Sequence, residues 1–163
     1  ALRLASFARL AEELSLGEFW IQPAFEVFYQ ARQRVKLFDD VKPILDKLSQ
    51  RYLLASLTNG NADTVETGID HWFDFSLNSA TIGKKKSEPE IYRHVLKLAD
   101  ITAAEMVHIG DHPQQDILGA QSAGVFAVWL NREGQSWEMQ DYQPDAEIQS
   151  LHELPAVLAQ RER

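Results

Sequence analysis

The chain has 163 residues, 45% apolar and 25% charged, with a formal net charge of -8 and no cysteine. That size and composition suit one globular domain, or one domain with a small appendage, and a sizeable core. The acidic balance argues against nucleic-acid binding, which needs a basic patch; the missing cysteines exclude disulfide frameworks and thiolate zinc sites and are compatible with a reducing, cytoplasmic setting. A small anionic ligand stays possible, because one local cluster of positive potential can oppose the global charge. No apolar run approaches the ~18 residues a membrane helix needs, so no membrane role is expected.

Residues 1–36 read as helical throughout. LRLASFARLAEEL places Leu4, Phe7, Leu10 and Leu14 near helical spacing, and FWIQPAFEVFYQARQ is bulky and aromatic, punctuated only by Pro23. That aromatic stretch serves either as core or as a stacking surface for a ligand. From residue 37 the texture changes. Asp39 and Asp40 are cap candidates for a helix with Val41, Ile44, Leu45 and Leu48 on one stripe, and Pro43 is tolerable in its first turn. RYLLASL is short and almost wholly apolar, as a strand covered on both faces would be.

TNGNAD follows as a turn, then a short helix is expected, then a second brief apolar run over 73–77. A helix over 88–99 should turn Ile91, Val95, Leu98 and Ala99 inward, and its entrance Ser87-Glu88-Pro89-Glu90 fits a capping box. MVHIG reads as a third strand, 117–122 as a helix ended by Gly124, and FAVWL as a fourth strand. DAEIQSLHELPAVL should add a last strand and helix. Short apolar strands alternating with amphipathic helices mean parallel βαβ units. The expected fold is α/β, an open parallel Rossmann-like sheet with helices on both faces.

In such folds ligands bind beyond the carboxyl ends of the strands. The polar features fall there. Thr58-Asn59-Gly60 offers a hydroxyl and backbone amides at a strand-to-helix turn, a cradle for phosphate oxygens, although Asn-Gly is also a common turn dipeptide. Lys84-Lys85-Lys86 reads as a solvated run, yet Lys86 adjoins a helix start, where a cation is unfavourable unless an anion shares the site. Asp111 ends a strand and Asp116 lies in the first turn of the next helix. Two carboxylates about 4 Å apart repel by about 4 kcal/mol at an effective dielectric of ~20. A hard divalent cation removes that penalty, and Mg²⁺ takes one or two carboxylates plus waters and phosphate oxygens; otherwise Asp116 caps the helix and Asp111 is solvated. Zinc on His108 and His112 is rejected, since zinc needs three or four ligands and the histidines are dispersed. Hydroxyl, lysine and acid pair, in that order at strand tips, form a candidate phosphate-plus-magnesium site.

On these residues the sequence resembles the haloacid dehalogenase superfamily of phosphatases. LLASLTNGN resembles its second motif, GKKKSEPEIY its third with Ser87 in place of a proline, and IGDHPQQDILGAQSAG its fourth. Alignment through Pro89-Glu90-Ile91 favours Lys86 as the family's lysine over Lys84 or Lys85. The resemblance covers residues 37–130, and the helical start resembles the end of the family's small helical cap; the flavour is that of bacterial phosphatases acting on flavin mononucleotide and sugar phosphates.

The resemblance implies a Mg²⁺-dependent phosphatase acting on a small phosphorylated metabolite through an aspartyl phosphate. Thr58, Asn59 and Gly60 would bind phosphoryl oxygens, Lys86 would offset charge, and Asp111 with Asp116 would hold or orient the metal. A metal-free dehalogenase on the same fold and a non-catalytic phosphate-binding relative are the competing readings. The family's first motif, Asp-x-Asp-x-Thr, has no counterpart here, and the chain starts at Ala1. The expected organisation is therefore a helical cap fragment over 1–36 and an α/β core over 37–163 that lacks its first strand, leaving a slot between LLASL and MVHIG and a fragment inactive alone.

Overall fold

The computed structural model describes residues 2–60 and 62–162. The chain forms two compact units, Ala1–Lys36 with Asn61–His71, and Leu37–Gly60 with Trp72–Arg163.

In the first unit, helix α1 (Leu2–Glu13) ends before Ser15, whose φ of 53° turns the chain, and helix α2 (Ile21–Gln33) follows. Pro23 sits in the first turn of α2, where its missing N–H costs nothing. Phe7 meets Trp20 and Phe28 edge-on at centroid distances of 6.2 and 6.1 Å, and Phe25 stacks near Tyr29 at 6.2 Å. These aromatics pack on one another, the geometry of a small core. Leu10 and Leu14, apolar residues near helical spacing, are exposed, whereas Ala11 is buried. The short helix expected after TNGNAD is a series of turns over 64–68, held by the Asp63 carboxylate on Val65 N.

The second unit is the parallel α/β layer. Strands β1 (Ala55–Thr58) and β2 (Phe75–Asn78) pair in parallel, and β3 (Val107–Gly110), β4 (Phe126–Leu130) and β5 (Ala146–Ile148) form a second parallel set in that order. Helix α3 (Val41–Leu48) precedes β1, α4 (Ser79–Ile82) follows β2, and α5 (Pro89–Ala99) precedes β3. A π-helical turn (Pro113–Leu118) runs into α6 (Gly119–Gln121), and α7 (Leu154–Arg161) ends the unit. Period-two alternation sorts β4 between two cores. Ala127 and Trp129 pack with Ile91 and Tyr92 of α5 and with Ile117 and Ala120, while Val128 packs with Ile44 and Leu48 of α3 and with Leu154. Helices thus cover both faces, each fully buried large apolar side chain contributing about 1.5–3 kcal/mol.

Two local expectations are corrected. Ser87 does not cap α5: the N-cap is Glu88, whose carboxylate turns back to Lys85 N at 2.8 Å, and Pro89 takes the first turn. Leu98 is exposed, because Tyr92 and Leu96 rotate the buried stripe away from it.

β1 and β3 do not pair with each other. Between them lies a cavity of about 680 Å³ lined by Ser56, Leu57, Val95, Val107, Ile109 and Leu158, among others. The edges of two parallel sheets therefore face one largely apolar slot.

Asp40 ties the start of α3 to the segments that follow β4 and β5. Its carboxylate accepts both guanidinium N–H groups of Arg132 at 2.8 and 2.9 Å, the Ser150 hydroxyl at 2.8 Å and Leu151 N at 2.8 Å. Although Asp40 is the N-cap of α3, its side chain makes no cap bond, since those partners take it. The Arg132 bonds hold its carboxyl well below the ordinary 3.8, outweighing burial, and Ser150 and Leu151 add to this. Asp40→Ala should lower unfolding stability by about 3 kcal/mol at neutral pH, as removing one partner of a buried pair does. A group with a depressed folded pKa stabilises fully above its unfolded value, so this gap should close as pH falls below 3.8. Urea unfolding of both proteins at neutral and acid pH measures it.

Candidate active site

The strand tips of β1 and β3 come under one hydrogen-bond network. Asn59, just past β1, accepts Lys86 N on its Oδ1 at 3.0 Å and donates from Nδ2 to Gln115 Oε1 at 2.7 Å. Asn78, at the end of β2, donates to the Gly60 carbonyl at 2.6 Å. Three chain segments far apart in sequence are thereby fixed at one end of the sheet.

At the centre sits Asp116, which is 0% exposed. Its Oδ1 receives the Lys86 ammonium at 2.6 Å and His108 Nε2 at 3.1 Å, and its Oδ2 accepts His112 N at 3.0 Å. Burial pushes this carboxyl up, but the His108 and Lys86 hydrogen bonds and their charge outweigh it, and the group stays ionised well below the usual carboxylate range. An ionised carboxylate only accepts, so His108 Nε2 carries the proton in this contact. Tyr92 closes the floor: its hydroxyl donates to the Gln115 carbonyl at 3.0 Å, and its ring stands edge-on to His108 at 5.0 Å. Desolvation raises the Tyr92 pKa, with the Asp116 charge adding to it, so the phenol stays neutral.

Glycine makes the arrangement possible. A Cβ on Gly110 would lie 2.2 Å from Asp116 Cγ, and one on Gly119 would lie 2.0 Å from the Lys86 carbonyl oxygen. His108 and Gly110 alternate onto the same face of β3, so the carboxylate fills the space that a side chain at 110 would take.

Lys86 is the lysine that reaches the centre; its side chain is 16% exposed, whereas Lys84 pairs with Glu88 and Lys85 is exposed. Thr58 Oγ1 accepts Gly60 N at 2.9 Å, so that amide, expected to meet phosphate oxygens, bends back onto the hydroxyl. Asp111 is exposed at the tip of β3, its carbonyl held by Trp129 Nε1 at 3.0 Å. The charge of Asp116 is met by Lys86 and by the hydrogen bond from His108. Among the described residues no three His, Cys, Asp or Glu side chains gather as a metal-ligand group. As a donor for a hard cation Asp111 fits; Asp116 has both oxygens engaged, which suits an outer partner better than a ligand. The residues that sequence reasoning missed are His108, Gln115 and Tyr92. The Val-His-Ile-Gly alternation puts His108 on the face of Gly110, but nothing in it announces a carboxylate there.

The fold is that of an α/β protein, with Lys86 paired to the buried Asp116 at the tips of its parallel strands. The chain belongs to the haloacid dehalogenase-like hydrolase family, whose model matches residues 3–124. It is 35% identical to phosphoserine phosphatase from Thermus thermophilus over 79% of this chain and 54% of that protein. With the Escherichia coli 5-amino-6-(5-phospho-D-ribitylamino)uracil phosphatase YigB it shares 28% identity over 91% of this chain and 62% of that one. The chain thus spans little more than half the length of these curated relatives. The crystal structure of 2-haloacid dehalogenase from Pseudomonas syringae pv. tomato DC3000 superposes with a TM-score of 0.90 at 38% identity, covering 98% of this chain and 71% of that one.

Gly110→Ala and Gly119→Ala should each cost about 2 kcal/mol or more, because a methyl group must displace the buried carboxylate or a backbone carbonyl. Urea unfolding checks this. Wild-type midpoints in both variants would contradict the packing described.

Proposed function

We propose that the intact protein is a Mg²⁺-dependent phosphatase acting on a small phosphomonoester. The observation that carries this reading is the pair of half-buried Lys86 with buried Asp116, stitched through Asn59 to the tip of β1 and through His112 N, the residue after Asp111, to the tip of β3. Phosphoryl transfer asks mostly for positioning and charge neutralisation, which such a cluster supplies. Thr58 and the amide of Asn59 would meet phosphoryl oxygens, with Gly60 N holding the Thr58 hydroxyl in place. Lys86 would donate to a phosphoryl oxygen, and Asp116 would aim its ammonium. Asp111 would hold Mg²⁺, which supplies charge stabilisation to the phosphoryl group when bound.

The nucleophile in this reading is an aspartate on a further strand seated in the slot between β1 and β3. The unpaired edges and apolar lining of that slot suit a central parallel strand, which must be covered on all sides. The similarity to two phosphatases supports the choice of a phosphate ester. Flavin mononucleotide, a sugar phosphate and a nucleotide are all compatible substrates.

A dehalogenase is the second reading, favoured by the similarity to the 2-haloacid dehalogenase and by an Asp116 already paired with Lys86 and hydrogen-bonded to His108. A phosphatase panel and a 2-haloacid panel on the full-length protein, each with and without EDTA, separate the two. Phosphate release abolished by EDTA, and lowered about 100-fold or more by Asp111→Asn, is the expected result. Halide release that is indifferent to EDTA would overturn it.

A further inference from the structure

His108 is 8% exposed, and nothing in the reaction as proposed uses it. Its Nε2 lies 3.1 Å from Asp116 Oδ1, the same oxygen that Lys86 Nζ contacts at 2.6 Å. Of the three side chains, Lys86 is the most open, at 16% exposure against 9% for His108 and 1% for Asp116. A ligand can therefore reach the ammonium, while the carboxylate and the imidazole stay behind it. A buried carboxylate stripped of every donor is strongly unfavourable. If Lys86 alone compensated Asp116, it could turn to an incoming anion only at that cost.

We propose that His108 is a positioning residue: it holds Asp116 from behind, so that Lys86 can share its ammonium with a bound phosphoryl group without leaving the carboxylate uncompensated. The proposal rests on the phosphatase reading. Two further contacts fix His108 in that role. The Tyr92 ring stands edge-on to the imidazole at 5.0 Å, and His112 N holds the other oxygen of Asp116 at 3.0 Å, so the carboxylate does not rotate away when Lys86 shifts. The bare face of Gly110 leaves the carboxylate room between imidazole and ammonium.

The test uses inorganic phosphate as the probe and the full-length protein. The rise of Tm with phosphate concentration gives an apparent affinity within each variant, independent of its starting stability. His108→Leu should weaken phosphate binding about tenfold or more, the scale at which small misplacements of a binding group are felt. His108→Gln, whose amide can still donate to Oδ1, should recover most of the affinity; His108→Asn, too short to reach, should not. If His108→Leu does not fold, the Gln and Asn variants pose the same question with polarity retained. Unchanged affinity in the Leu and Asn variants, or equal loss in Gln and Asn, would overturn the role of His108 alone. A wild-type Tm that does not respond to phosphate would overturn the phosphatase reading and this role together.

Discussion

The contact on which the site depends is the one between Lys86 and Asp116. A fully buried carboxylate is among the costliest groups a protein can bury, and it survives only with donors fixed around it. Lys86, His108 and the amide of His112 supply them. Because those donors come from the segment before α5, from β3 and from the π-helical turn, satisfying one carboxylate pins three pieces of chain at one end of the sheet. Asn59 extends the same network to β1 through Lys86 N and Gln115. Local electrostatics here does the work of tertiary positioning. The net charge of -8 says nothing about it, since the relevant field is that of one ammonium and one imidazole.

The backbone cooperates in two ways. The π-helical turn over Pro113–Leu118 widens the start of the helix, and Asp116 points back under β3, where Gly110 has no side chain. Gly119 in turn allows the Lys86 carbonyl to approach the helix at a distance any Cβ would block. Close approach, not a left-handed backbone, is what glycine provides at both positions. Asp40 does a parallel job with Arg132, Ser150 and Leu151, joining α3 to the segments that follow β4 and β5, and it serves the scaffold.

Much of this was legible in the sequence. The strands around Ala55–Thr58, Val107–Gly110 and Phe126–Leu130 announced themselves as short apolar runs, and the carboxyl-end rule then picked out Thr58, Lys86, Asp111 and Asp116. Pairing was harder to read. Like charges at 111 and 116 implied a positive group nearby, but spacing alone could not say that Lys86, 30 residues upstream of Asp116, would supply it. A lone histidine in an apolar strand, as His108 is, gives no hint of a buried carboxylate arriving from the next helix. Ser87 looked like a cap by spacing, but Glu88 competes for the same turn and folds onto Lys85 N. The short helix after β1 failed for a related reason, as the Asp63 side chain satisfies the local amides in turns.

A double-mutant cycle on Lys86 and Asp116, read by urea unfolding at neutral pH, is the most direct test of a site organised by one buried ion pair. Lys86→Met alone should be strongly destabilising, because it leaves the carboxylate with only His108 as a side-chain donor. Adding Asp116→Asn should restore a large part of that loss, giving a coupling of about 2 kcal/mol or more. Strictly additive losses would mean that the two side chains do not depend on each other, and the account of the site would fail with them.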